Sequence, residues 1–131
     1  YVLNQDIPQE WFSELRMYVQ EIGGDLIDCK LIGQQFQMNW SNKLPHINHM
    51  TFARYFIPDF VKEDKVLYLD SDLVVTGDLT PLFEFDLGEN YLAAARSCFG
   101  VGVGFNAGVL LINNKKWKSE NIRQQLNRKR T

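Results

Sequence analysis

Cysteine is scarce in this chain: only Cys29 and Cys98, far apart and with no CxxC pair. That excludes a disulfide framework and points to reduced, partly buried thiols in a cytoplasmic protein. No uninterrupted apolar run reaches the about 18 residues that a membrane-spanning helix needs, and no secretory leader is visible. Charge of one sign is also lacking. The net charge of −2 gives no general case for nucleic acid or for an anionic membrane surface. Histidine is limited to His46 and His49, which share one segment. Pro45 and a helix start at Asn48 would leave His46 outside the helix, so the two read as local polar or core residues, not metal ligands. There is no initiator methionine. The chain opens on Tyr1-Val2-Leu3, which already reads as a strand, so the expectation is that the polypeptide continues upstream.

What is present is core material. Of 131 residues, 45% are hydrophobic and 13% aromatic, enough to bury a core and to set disorder aside. No internal repeat, low-complexity tract or linker interrupts the chain, so one domain over residues 1–131 is expected. The cluster Arg123, Arg128, Lys129 and Arg130 reads as a solvated helix end that complements the macrodipole; a basic anchoring patch is the alternative.

The elements alternate. Tyr1–Leu3 predicts a strand. Pro8 opens a helix in which Trp11, Phe12, Leu15, Val19 and Ile22 recur at helical spacing, and Gly23-Gly24 ends it. Asp25–Ile32 predicts a second strand. Residues 33–46 read as a loop with room for one short helix, in which Trp40 could stack on a sugar, although Trp11, Trp40 and Trp117 are more often core residues. Asn48–Phe56 predicts a helix ended by Pro58. Lys65–Leu69 predicts a strand, Leu73–Val75 a second extended piece, and Thr80-Pro81 a short helix with Thr80 as N-cap. Tyr91–Ala95 and Val109–Ile112 predict further strands. Asn113 or Asn114 should cap a last helix carrying Trp117, Ile122 and Leu126. Strands that read as apolar runs, alternating with helices, predict a mostly parallel sheet with helices on both faces. Ligands in open sheets of that kind bind beyond the carboxyl ends of the strands.

At one such end the chain reads KVLYLDSDLVV, placing Asp70 and Asp72 directly after an apolar strand. Residues two apart on a strand share a face, so the two carboxylates would repel each other. A divalent cation between them removes the repulsion and makes a hard oxygen site suited to Mg²⁺ or Mn²⁺, completed by water or substrate phosphates. The competing structural reading has Asp70 capping a turn and Asp72 solvated. Gly77-Asp78 reads as a turn. Two enzyme classes use an apolar strand ending in DxD. In the haloacid-dehalogenase-like phosphatases the first aspartate would be a nucleophile. That class also needs an acidic pair downstream, and Asp78, Glu84, Asp86, Glu89 and Glu120 form none at a strand end.

The second class is the nucleotide-sugar glycosyltransferases of GT-A fold. Three segments resemble one of its families, glycosyltransferase family 8: FARYFIPD at 52–59, KVLYLDSDLVVTGDLTPL at 65–82, and FNAGVLLIN at 105–113 followed by Lys116-Trp117. The resemblance implies a Rossmann-like GT-A sheet and a retaining transfer of a hexose from a UDP-sugar. The acceptor would be a glycan, a lipid-linked sugar or a glycoprotein. It implies that Asp70 and Asp72 hold Mn²⁺ or Mg²⁺ against the donor diphosphate and that Ser71 lies near the ribose. Arg54 would contact donor sugar or phosphate, Asn106 would hydrogen-bond sugar hydroxyls, and Gly108 would admit a close backbone approach. No nucleophile is assigned. The family's uridine-gripping first strand, and its histidine-bearing C-terminal motif that supplies a third metal ligand, have no counterpart here. The segment 96–104 also lacks the carboxylate that relatives carry there. The expectation is therefore an internal portion of a catalytic domain, truncated at both ends and inactive alone. A cytoplasmic location is expected, with room for peripheral membrane association of the complete protein. A non-catalytic sugar-nucleotide-fold scaffold is the non-enzymatic alternative.

Overall fold

The computed structural model describes residues 1–33, 49–97 and 104–128, which fall into two compact units, Tyr1–Phe60 and Val61–Thr131. Cys98, Trp40, His46 and Asn48 lie outside the described residues, as do Lys129 and Arg130.

In the first unit, strand β1 (Val2–Asn4) pairs in parallel with β2 (Asp28–Lys30), with Leu3 opposite Cys29. A parallel pair needs a crossover, and helix α1 (Gln9–Glu21) supplies it. Pro8 precedes the helix in extended conformation, where its missing N–H costs nothing. The glycine stop acts as the sequence predicts. Gly23, at φ +77°, donates to the Gln20 carbonyl, and Gly24 donates to the Val19 carbonyl, both at 2.9 Å. These two bonds form a Schellman motif around a left-handed residue. Phe12 is the one fully buried residue of the helix; Trp11 and Ile22, expected on its apolar face, are exposed within this chain.

Asn48–Phe56 was expected to form an α-helix ended by Pro58. The structure instead holds a 3-10 helix, His49–Phe56, running into α2 (Ile57–Phe60). Met50, Ala53 and Phe56 recur at a spacing of three and pack against Leu3 and Leu31. That spacing keeps them on one face of a helix with three residues per turn. Pro58 sits in the first turn of α2, where a proline removes no intrahelical bond.

The second unit is built on β3 (Lys65–Leu69), β4 (Leu92–Arg96) and β5 (Phe105–Asn113), in the order β3-β5-β4. Both neighbours run antiparallel to β5. The parallel pairing expected from the apolar runs thus holds for β1 and β2, and the three-stranded sheet is antiparallel. The reason is burial. β5 is central, and Leu110, Leu111 and Ile112 are all buried, so successive residues on both faces are apolar whichever way the neighbours run.

Leu73–Val75 forms no strand and is exposed, Val74 at 87%. Helix α3 (Thr80–Glu84) forms where Thr80-Pro81 predicts it, but Thr80 is its first residue and not its cap. Asp78 accepts from the Thr80 N–H at 2.9 Å, which makes Gly77-Asp78 the expected turn. Lys65 Nζ donates to the carbonyls of Phe83 and Phe85, both at 3.1 Å, and so ties the far end of α3 to β3.

The last predicted helix is two: α4 (Asn114–Ser119) and α5 (Ile122–Arg128). Between them Asn121 adopts φ +49°, a left-handed conformation that asparagine tolerates better than most residues. Asn113 caps α4 by accepting from the Lys116 N–H at 3.0 Å. Asn114 is fully buried and donates to the carbonyls of Val61 (3.0 Å) and Glu63 (2.7 Å). Trp117 is also buried, and its indole N–H donates to the Tyr91 carbonyl at 3.0 Å.

Candidate functional site

β3 delivers its carboxylate along a ladder of five paired residues, from Lys65 opposite Asn113 to Leu69 opposite Val109. One residue further, the Asp70 N–H donates to the Gly108 carbonyl at 2.8 Å. The backbone of Asp70 is therefore fixed by the sheet, although the strand has ended. Its side chain is held as well. Tyr68, two residues earlier on the same face, donates its hydroxyl to Asp70 Oδ1 at 2.5 Å. Ser71 and Asp72 follow in an exposed turn.

The opposite wall comes from β5. On its β4 side the register breaks: Arg96 faces Phe105, and Ala94 faces Leu110. Asn106–Val109 thus stand against the single residue Ala95 and form a bulge, a device that re-aims side chains next to sites. Within it Asn106 Oδ1 accepts from the Gly108 N–H at 2.7 Å. A Cβ on Gly108 would lie 3.1 Å from Asn106 Oδ1 and 3.1 Å from Asp70 Oδ2. The glycine is favoured by the tight space and not by conformation, since its φ is not in the left-handed region.

Asp70, Asn106 and Gly108 are therefore brought together, with Ser71 and Asp72 in the adjoining turn. Arg54 belongs to the first unit, is 8% exposed, and donates from Nε to the Thr51 carbonyl at 3.0 Å. Tyr68 was not singled out from sequence. Its signal was there: a hydroxyl two residues before an aspartate on a strand shares that residue's face.

The donor set suits a hard cation. Among the described residues no group of three or more His, Cys, Asp or Glu side chains converges. A metal at Asp70 and Asp72 would take oxygen from those two side chains, with water and ligand phosphate completing the shell, as Mg²⁺ commonly does. Away from the site, the buried Cys29 thiol is pushed above its usual range, chiefly by burial. That fits an inert reduced cysteine. Asp78 is held below the usual carboxylate range, first by the Thr80 backbone N–H and then by the Thr80 hydroxyl.

The family model described as "Glycosyl transferase family 8" matches residues 1–128. Glycosyltransferase GlyE of Streptococcus pneumoniae is 88% identical over 126 residues, covering 96% of this chain and 31% of that protein. The crystal structure of apo-form GlyE superposes with a TM-score of 0.81 at 77% identity, over 96% of this chain and 29% of that one. The galactosyltransferase LgtC, solved in complex with donor and acceptor sugar analogs, superposes with a TM-score of 0.76 at 33% identity. That match covers 90% of this chain and 48% of LgtC. The chain thus has the GT-A fold of these neighbours and spans less than half the length of each.

Proposed function

The chain belongs to glycosyl transferase family 8, and from that membership we propose that it is the donor-side portion of a metal-dependent, retaining hexosyltransferase that uses a UDP-sugar. One observation carries the reading. Asp70 is locked by the Gly108 carbonyl and the Tyr68 hydroxyl, with Oδ2 resting over a glycine that leaves room for it beside Asn106. A carboxylate so fixed in place is a pre-positioned oxygen ligand for a hard cation.

Asp70 and Asp72 would hold Mn²⁺ or Mg²⁺. When bound, the metal neutralises the charge that gathers on the leaving diphosphate as the C1–O bond breaks. The chain's own residues bind and orient the donor. Asn106 has its Oδ1 engaged with Gly108 N–H, so its Nδ2 group is the donor it offers to a sugar hydroxyl. Gly108 lets the ligand approach the backbone, Ser71 stands by the ribose, and Arg54 serves the sugar or its phosphate. Retention follows the family, and no nucleophile is assigned. The acceptor is a sugar on a glycan, lipid or protein.

The proposed setting is the cytoplasm; among the described residues no helix is long and apolar enough to cross a membrane. The family match takes in the DSDLV segment and sets the phosphatase reading aside. The proposed domain organisation remains one partial catalytic domain.

The test is calorimetry of UDP binding to the complete protein, with and without Mn²⁺, for the parent and for a double variant Asp70→Ala, Asp72→Ala. Metal-dependent binding lost in the double variant supports the reading. Equal binding in excess chelator, or no UDP binding at all, would overturn it, the second result favouring a scaffold.

A further inference from the structure

Tyr68 lies in the middle of an apolar run, yet its ring carries a hydroxyl that ends on a carboxylate. It occupies β3 opposite Leu110 of β5, a buried position on the central strand. Tyr68 is itself only half-buried, and its hydroxyl donates to Asp70 Oδ1 at 2.5 Å. A phenylalanine would satisfy the packing of this run equally well. The hydroxyl is therefore explained by what it touches.

Constraints from both β3 and β5 meet on Asp70. The N–H is committed to Gly108, Oδ1 to Tyr68, and Oδ2 lies against the open Cα of Gly108. The tyrosine bond acts on the torsion about Cβ–Cγ, which is intrinsically soft and broad. We propose that Tyr68 is a positioning residue for the metal site. Its hydroxyl restrains the Asp70 carboxylate, the group that would hold the divalent cation against the donor diphosphate. The inference rests on the metal-dependent reading above, and it adds a residue acting through Asp70, not one touching the ligand.

Hydrogen bonds to a ligating carboxylate typically set metal affinity by about ten- to a hundredfold. The variant Tyr68→Phe keeps the ring and removes only the hydroxyl. In the complete protein with UDP present, Mn²⁺ titration followed by the electron paramagnetic resonance of free Mn²⁺ should show an affinity weakened by about tenfold. Thermal unfolding without metal should stay close to the parent's, and turnover at saturating Mn²⁺ should recover most of the parent rate. Unchanged Mn²⁺ affinity in Tyr68→Phe would overturn the inference, whether or not the variant were less stable. Asp70→Asn, measured alongside, separates the two levels. If Asp70→Asn loses Mn²⁺ binding while Tyr68→Phe does not, only the role of Tyr68 fails. If Asp70→Asn binds Mn²⁺ like the parent, the metal reading itself fails.

Discussion

The Asp70 N–H reaches the Gly108 carbonyl at 2.8 Å, one residue past the last paired residue of β3. The sheet thus extends its ladder by a single bond to set the first carboxylate of the DSD segment, while Asp72 stands in the turn beyond. The two aspartates are consequently unequal. Asp70 is built into the fold, and Asp72 is not.

That inequality predicts different responses to the same change. Asp72→Asn should leave stability within about 0.5 kcal/mol of the parent, as expected for an exposed turn residue, yet abolish most Mn²⁺-stimulated donor turnover. Asp70→Asn should lose turnover and also some stability, because Tyr68 and Gly108 are arranged around its carboxylate. Paired chemical-denaturation and activity measurements on the complete protein check this. Equal stability losses at both positions would contradict it.

Gly108→Ala places a methyl group 3.1 Å from both Asp70 Oδ2 and Asn106 Oδ1. Each neighbour must give by a few tenths of an ångström to admit it. The expected outcome is a folded protein destabilised by about 1–3 kcal/mol, with donor binding weakened more than stability alone explains. Calorimetric titration with UDP and Mn²⁺ measures the second effect.

Asn114→Ala removes the donors that serve the carbonyls of Val61 and Glu63. Leaving such acceptors without partners costs roughly 1–3 kcal/mol each when they are buried. Part of that loss is recovered, because Asn114 Oδ1 is itself buried without a partner among the described residues. A net loss of about 2 kcal/mol is expected in urea unfolding.

Gly23→Ala tests the stop of α1. Nothing lies within 4 Å of the added methyl, so any cost is conformational, from φ +77°. A loss of about 1 kcal/mol is expected, and a neutral result would show that the Schellman turn relaxes.

Asp78 sets a pH response. Its folded pKa lies below the ordinary aspartate value because the Thr80 N–H and hydroxyl bond the charged form. The stabilisation is therefore present above the ordinary aspartate range and is lost as pH falls through the lower, folded value. An NMR titration of this carboxyl should give a midpoint below that of a free aspartate, and Thr80→Val should raise it.

How much of this was visible in the residues alone depends on the range of the interaction concerned. The Gly23-Gly24 stop, the Asn113 cap and the strand leading to Asp70 are local, and each was legible. The antiparallel β3-β5-β4 order was not, because the apolar run at 109–112 reports burial on two faces and carries no direction. Leu73–Val75 has strand composition but no strand, since propensity without a neighbouring ladder does not make one. The eight residues from His49 to Phe56 are too few to distinguish three residues per turn from 3.6. The alliance of Asp70 with Gly108 spans 38 positions of sequence between residues 70 and 108, and only the folded sheet shows it.

The bulge at Asn106–Val109 gives β5 two edges that answer to different demands. Toward β3 every residue from Val109 to Asn113 is matched, which pins the acidic corner. Toward β4 the surplus residues take up slack between Leu110 and Phe105. The position of Asp70 is therefore set from the β3 edge of β5 and does not depend on unbroken register with β4.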